Sequence, residues 1–344
     1  MCIYFVHDSY LNYNSQEHII PQALGGIKEL PKGFVSDEFN NSISSFEGQV
    51  IRNSIIAAPR EFEGPGKKGS LSPRHAKKSI IILAENLAEG KPFALGYIQK
   101  GDYFQIDHLI LNTTSNTISF STNSGEENIK SLIEKFLTLC SSPENLRLKV
   151  VVKDELPQHL ILFGIYEGYA LFFKNTLNTL NLSPELLLRI SEANLNSSPQ
   201  KEDHYFKFTR DYRFDTSDTR LWGKIAFNYL SYLMGYDFVL DKQFDPLRNW
   251  IINGDCTFSA SFDFNNVDTL KSLIADKAHY IQIWSKGNEL YARVALYSLP
   301  VNIMLSNKYE GKIDLKTFVC DWRKRDEYDF MDRLNESAIK RMSS

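Results

Sequence analysis

The chain has 344 residues, is 43% hydrophobic and 24% charged, and carries a net charge of −3. That length suits two domains rather than one small core, and the composition is that of a soluble globular protein. The near-neutral balance excludes a molecule that binds polyanions by bulk charge, so any nucleic-acid surface has to be a local patch.

Residues 1–50 are short apolar pieces broken by polar turns, with a helix expected over Ser42–Val50 and Asn40-Asn41 available to cap it. The stretch EGPGKKGSLSPRHAKKS, residues 63–79, reads as a basic linker or exposed loop. Between Arg52 and Lys78 seven Arg and Lys are opposed only by Glu61 and Glu63. Residues 80–344 read as one α+β domain. YFQIDHLILN and TISFSTN form a hairpin signal. GEENIKSLIEKFLTLC has helical spacing at Ile129, Leu132, Ile133 and Phe136. RLKVVVKDEL and HLILFGIY read as strands. TRLWGKIAFNYLSYLMG is the clearest helix, with apolar rows at i, i+4 and Gly235 as its C-terminal stop. HYIQIWSKGNELYARVALYSL reads as a hairpin turning at Lys286-Gly287-Asn288.

No apolar run of about 18 residues is present to span a membrane, and MCIYFVHDSYLNYN lacks the basic-then-apolar layout of a secretory leader. Cys2, Cys140, Cys256 and Cys320 are scattered and form no CxxC pair. Together these features lead to the expectation of free thiols in the cytoplasm. Neither a phosphate-binding Walker loop nor GxSxG occurs, which argues against nucleotide hydrolysis and serine-hydrolase chemistry.

The stretch that carries chemistry is Glu17-His18-Ile19-Ile20-Pro21-Gln22-Ala23-Leu24-Gly25-Gly26, followed by Phe34-Val35-Ser36-Asp37-Glu38-Phe39-Asn40-Asn41. An acid and a His, two apolar residues and Pro, a Gly-Gly turn and then a knuckle ending in Asn resemble the HNH (ββα-metal) endonuclease family. The resemblance covers residues 1–62. It implies a ββα module in which a hairpin and a helix cradle one divalent ion, packed on a larger α+β domain that recognises DNA or a partner. By that pattern His18 is the general base and Asn41 stands with it in the catalytic group. Glu17, Asn40 and Glu47 supply oxygens to Mg²⁺ or Mn²⁺, a hard ion that prefers oxygen ligands. The reaction implied is hydrolysis of DNA phosphodiesters, leaving a 3′-hydroxyl and a 5′-phosphate. It needs only a base for water and a cation for the developing charge. Arg52, Arg60, Lys67, Lys68, Arg74, Lys77 and Lys78 are the candidates for phosphate contacts.

The sequence departs from the family at two places. Both zinc knuckles are degenerate, reading Cys2-Ile3-Tyr4-Phe5 and Ser36-Asp37-Glu38-Phe39. One thiol cannot make a tetrahedral zinc site, so no structural zinc is expected. Phe5 and Phe39 are expected to pack together in its place. The family's middle Asn falls near Pro31-Lys32, and Pro offers no side-chain hydrogen bond. Two functions therefore follow from the sequence. One is a working endonuclease, with anti-phage defence as the family's habit. The other is an impaired pseudonuclease acting as a DNA- or protein-binding subunit of a defence complex. Implied partners are DNA, a protein such as an ATPase or sensor subunit, and a second copy of the chain, but no membrane.

Overall fold

The structure, a computed structural model, describes residues 2–86, 93–122, 126–141, 147–175, 215–254, 260–263 and 269–342, with single positions at 188, 190, 206, 207 and 212. Cys256 and most of the aromatic run Tyr205, Phe206, Phe208, Tyr212 and Phe214 lie outside the fully described residues. The fold is mixed α+β, with three sheets among the described residues. No described helix is long and apolar enough to cross a membrane.

The chain divides differently from the boundaries at 62 and 79 expected from sequence. One unit is Met1–Lys77 together with Tyr212–Ser344, and the other is Lys78–Asp211. The physical reason is a shared core. Ile3, Ile19, Leu24, Phe39 and Val50 from the first 60 residues are buried in the same cluster as Trp222, Phe227, Ile281, Val294 and Phe318. Hydrophobic periodicity reports which face of an element is apolar, not which distant element covers it. Nor is the basic stretch 63–79 a free linker. Gly64, Pro65, Gly66 and Gly69 are buried, and short 3₁₀ turns occupy Lys67–Gly69 and Pro73–His75.

In the second unit, strands β1 (Ile82–Asn86), β2 (Phe93–Gln99) and β3 (Asp102–Gln105) pair in sequence, and Phe206-Lys207 adds along β1. β4 (His108–Asn112) and β5 (Thr117–Ser121) form the expected hairpin. They join β6 (Arg147–Val152), β7 (Leu160–Tyr166) and β8 (Tyr169–Lys174) in a five-stranded sheet of order β5-β4-β7-β8-β6. Helix α3 (Glu126–Ser141) lays Ile129, Leu132, Ile133 and Phe136 on Leu109, Leu111, Ile161 and Phe163, the stripe its spacing predicts.

The first unit is built around a six-stranded antiparallel sheet, of which β9 (His279–Lys286) and β10 (Glu289–Leu296) are the central hairpin. Gly287 adopts φ 62° at its turn, a value that favours glycine. Helix α4 (Arg220–Met234) lies on this sheet and is buried almost all round: Leu221, Trp222, Ile225, Ala226, Phe227, Tyr229 and Leu230 are all covered. Its Lys224, Asn228 and Ser231 are buried too. At spacings of i, i+4 and i+7 they form one polar stripe on an otherwise apolar helix. Such a stripe is stable only with partners.

Two expectations follow. Because the N-terminal segment takes its core from α4 and the sheet, residues 1–79 expressed alone should show no cooperative thermal transition by circular dichroism; a sharp one would refute the shared core. The second concerns His279. It is fully buried, accepts a hydrogen bond from the Tyr297 N–H at Nδ1 and donates from Nε2 to the Leu24 carbonyl at 3.0 Å. Burial holds its imidazole down at about 3. The folded state therefore keeps it neutral while the unfolded chain, with an ordinary value near ~6.5, takes up a proton. Its contribution is complete above that unfolded value and is lost as pH falls towards 3. Unfolding free energies from urea titrations should decline over this window, on the order of a few kcal/mol in total, and the decline should flatten in His279→Gln.

Candidate functional site

The N-terminal segment pairs two short stretches of chain ahead of a helix. Residues 17–19 and 28–30 run antiparallel: the Ile19 N–H donates to the Lys28 carbonyl at 2.9 Å and the Leu30 N–H to the Glu17 carbonyl at 2.7 Å. Only His18 and Glu29 form a bridge, so among the described residues there is a pairing of this segment but no full strand. The reversal between them needs Gly25-Gly26. Gly25 has φ 94°, and a Cβ on Gly26 would lie 1.8 Å from the Ile20 carbonyl oxygen. No other residue fits there.

The following helix, α1 (Asp37–Asn53), begins earlier than expected. Ser36 caps it, its hydroxyl accepting from the Phe39 N–H at 3.3 Å, and Asp37 and Glu38 fill the first turn. Asn40 and Asn41 are therefore inside the helix, not a cap before it. The two acids also hold the incoming loop. Asp37 accepts from the backbone and side chain of Asn14 and of Ser15, and Glu38 from Asn12. The hydrogen bond from the Ser15 hydroxyl, with the backbone bonds from Asn14 and Ser15, takes the Asp37 carboxyl down to about 2.

The knuckle region is filled by rings. Phe5 and Phe39 meet at 5.6 Å, edge to face, as the sequence led us to expect, and Tyr4 stacks flat on Phe39 at 3.7 Å. Phe39 is fully buried and Phe5 half-buried. The remaining thiol, Cys2, accepts a weak hydrogen bond from the Ser36 N–H at 3.4 Å.

Two of the three expected ion ligands, Glu17 and Glu47, come together around a lysine. Lys224 of α4 donates from its ammonium to Glu17 Oε1 at 2.6 Å and to Glu47 Oε1. Its side chain is 1% exposed, against 14% for Glu17 and 18% for Glu47. Burial works against the ammonium, but the charges of Glu17 and Glu47 and their hydrogen bonds outweigh it and raise its pKa. Burial also raises the Glu47 carboxyl; Lys224 pulls it down and the Glu17 charge adds to the rise. These directions agree, because one ammonium is shared by two carboxylates. The neighbouring stripe residue Asn228 accepts from the Tyr4 hydroxyl at 2.6 Å and donates to the His18 carbonyl at 3.0 Å. Sequence reasoning missed Lys224, Asn228 and Tyr4. The signal was present, as three polar residues on one face of an apolar helix.

His18 has a side chain 20% exposed, with Nε2 3.5 Å from Glu29 Oε1. Asn40 shares a face of α1 with Glu47, two turns away. It donates to Ser15 Oγ at 3.2 Å, while its own amide oxygen is buried without a hydrogen-bond partner. Asn41 is exposed, about 100° round the helix from that face, and is not gathered with Glu17 and Glu47. A divalent ion set between Glu17 and Glu47 would lie against a buried ammonium, so the residues present do not fit one there. The Gln16 amide crosses the loop to the Leu30 carbonyl at 3.1 Å.

Of the basic candidates, Arg52, Lys67, Lys68 and Arg74 are exposed and Lys77 is half-buried. Arg60 is a correction: it is 7% exposed, and its guanidinium donates to the Pro65 and Gly66 carbonyls, so it braces the 64–66 turn and cannot reach a phosphate. Lys78 belongs to the second unit, where it donates to the Tyr166 hydroxyl at 3.0 Å and lies over the Tyr97 ring. No family model, curated protein or solved structure matches the chain.

Phe39→Ala should lower stability by roughly 3–5 kcal/mol, the usual cost of emptying a buried aromatic site, measured by urea unfolding. A loss under about 1 kcal/mol, the level of an ordinary surface substitution, would mean that the ring stack does not hold the knuckle together.

Proposed function

We propose that this chain is an HNH-like pseudonuclease, a module that keeps the ββα frame and binds DNA as part of a larger assembly without turning it over. The observation that carries this reading is the Lys224 ammonium on both carboxylates expected to hold the ion. Phosphodiester hydrolysis requires a cation that touches the scissile phosphate or the leaving oxygen. An ammonium 1% exposed and flanked by Glu17 and Glu47 can do neither. Contact with DNA falls to the exposed Arg52, Lys67, Lys68 and Arg74, which engage phosphates without reading sequence.

A working endonuclease is the second reading, and two observations favour it. Glu29 stands beside His18 Nε2, an arrangement that orients an imidazole for base chemistry. The buried Asn40 amide oxygen is without a partner, as an unused ligand atom would be.

Supercoiled plasmid incubated with the purified chain in Mg²⁺, Mn²⁺ or EDTA separates the two. The pseudonuclease reading expects no nicking beyond that of His18→Ala. It also expects a mobility shift that weakens with salt and is reduced by exchanging Arg52, Lys67, Lys68 and Arg74 for Gln. Ion-dependent nicking that falls by a factor of about 10² or more in His18→Ala would establish the enzyme instead.

A further inference from the structure

We propose that Lys224 is the resident cation of the ββα site, an internal ammonium that has taken over the electrostatic task of a divalent ion. This rests on reading Glu17 and Glu47 as the ion-binding carboxylates of such a site. Glu17 comes from the paired segment 17–19 and Glu47 from the middle of α1, the two parts that a ββα module joins through its ion. Here both reach the same nitrogen. That nitrogen is delivered by a helix buried from Leu221 to Ser231, and the Lys224 side chain is itself 1% exposed. One turn on, Asn228 fastens the same segment by its hydrogen bonds to Tyr4 and to the His18 carbonyl. The helix therefore grips the motif at two adjacent levels, and the register that seats Asn228 also seats Lys224.

Charge balance gives the consequence. Two carboxylates and one ammonium leave a single negative charge. Removing the ammonium leaves two carboxylates converging on one point, the condition in which a hard divalent cation is captured. The wild-type site should therefore be indifferent to divalent ions, and Lys224→Met should create an ion site that it lacks.

The test is Mn²⁺ titration of the full chain, followed by electron paramagnetic resonance and by thermal midpoint. Wild type should bind no Mn²⁺ at this site and melt at the same temperature in millimolar Mn²⁺ and in EDTA. Lys224→Met should melt lower in EDTA, recover part of the loss in Mn²⁺, and lose that recovery when Glu17→Gln is added. Wild-type Mn²⁺ binding that disappears in Glu17→Gln and Glu47→Gln would overturn the proposal. So would a folded Lys224→Met that ignores Mn²⁺. If Lys224→Met does not fold, the wild-type titration decides alone, since ion binding there that depends on the two glutamates contradicts a resident ammonium. Because the titration contains no DNA, its outcome is separate from that of the plasmid assay.

Discussion

A single buried ammonium sets the terms for the first unit. Lys224 is removed from water, and stripping an ion of its hydration costs several kcal/mol unless charge and hydrogen bonds replace it. Glu17 and Glu47 supply both. Removing one member of such a group typically costs about 3–5 kcal/mol, because the others are left uncompensated. The arrangement demands that α4 sit at one depth and rotation against α1 and the 17–30 segment. Almost every other feature of the site can be read as holding it there: the Tyr4–Asn228–His18 chain of hydrogen bonds, the Gly25-Gly26 reversal and the apolar faces of α4 on the sheet.

The turn that leads into α1 is held by rings and carboxylates. One thiol, the stacked Tyr4–Phe39 pair with Phe5 edge-on, and the Asp37 and Glu38 carboxylates that hold the incoming loop do the joining. A ring stack is less directional than a metal centre and needs continuous cover. The cover comes from residues distant in sequence, with Phe227 of α4 edge-on to Tyr4 at 5.4 Å. This explains why the N-terminal segment is part of the unit that contains the sheet and is not a bead on a linker. Lys78–Asp211 forms its own compact unit between the two chain segments that build the first.

What the sequence determined by itself is local. The α3 stripe, the 108–121 hairpin, the α4 helix with its stop at Gly235 and the hairpin turning at Gly287 are all set by spacing and turn residues. The contact of Phe5 with Phe39 was also legible, because the family resemblance set the two apolar rings at facing positions. The start of α1 was misplaced, since Ser36 with Asp37 and Glu38 is a stronger initiation signal than Asn40-Asn41.

Long-range packing set what Glu17 and Glu47 hold, made Arg60 a brace inside the fold, and joined residues from both ends of the chain in one core. Each of these is a long-range contact between elements whose own patterns are silent about their partners. Lys224 makes the point most sharply. Its helix pattern announces a buried polar face, but nothing in the sequence over its separation of 177 positions from Glu47 says which charges meet that face. That pairing is fixed by the packing of α4 between the sheet and the N-terminal segment, because a buried ammonium is tolerated only where carboxylates converge on it.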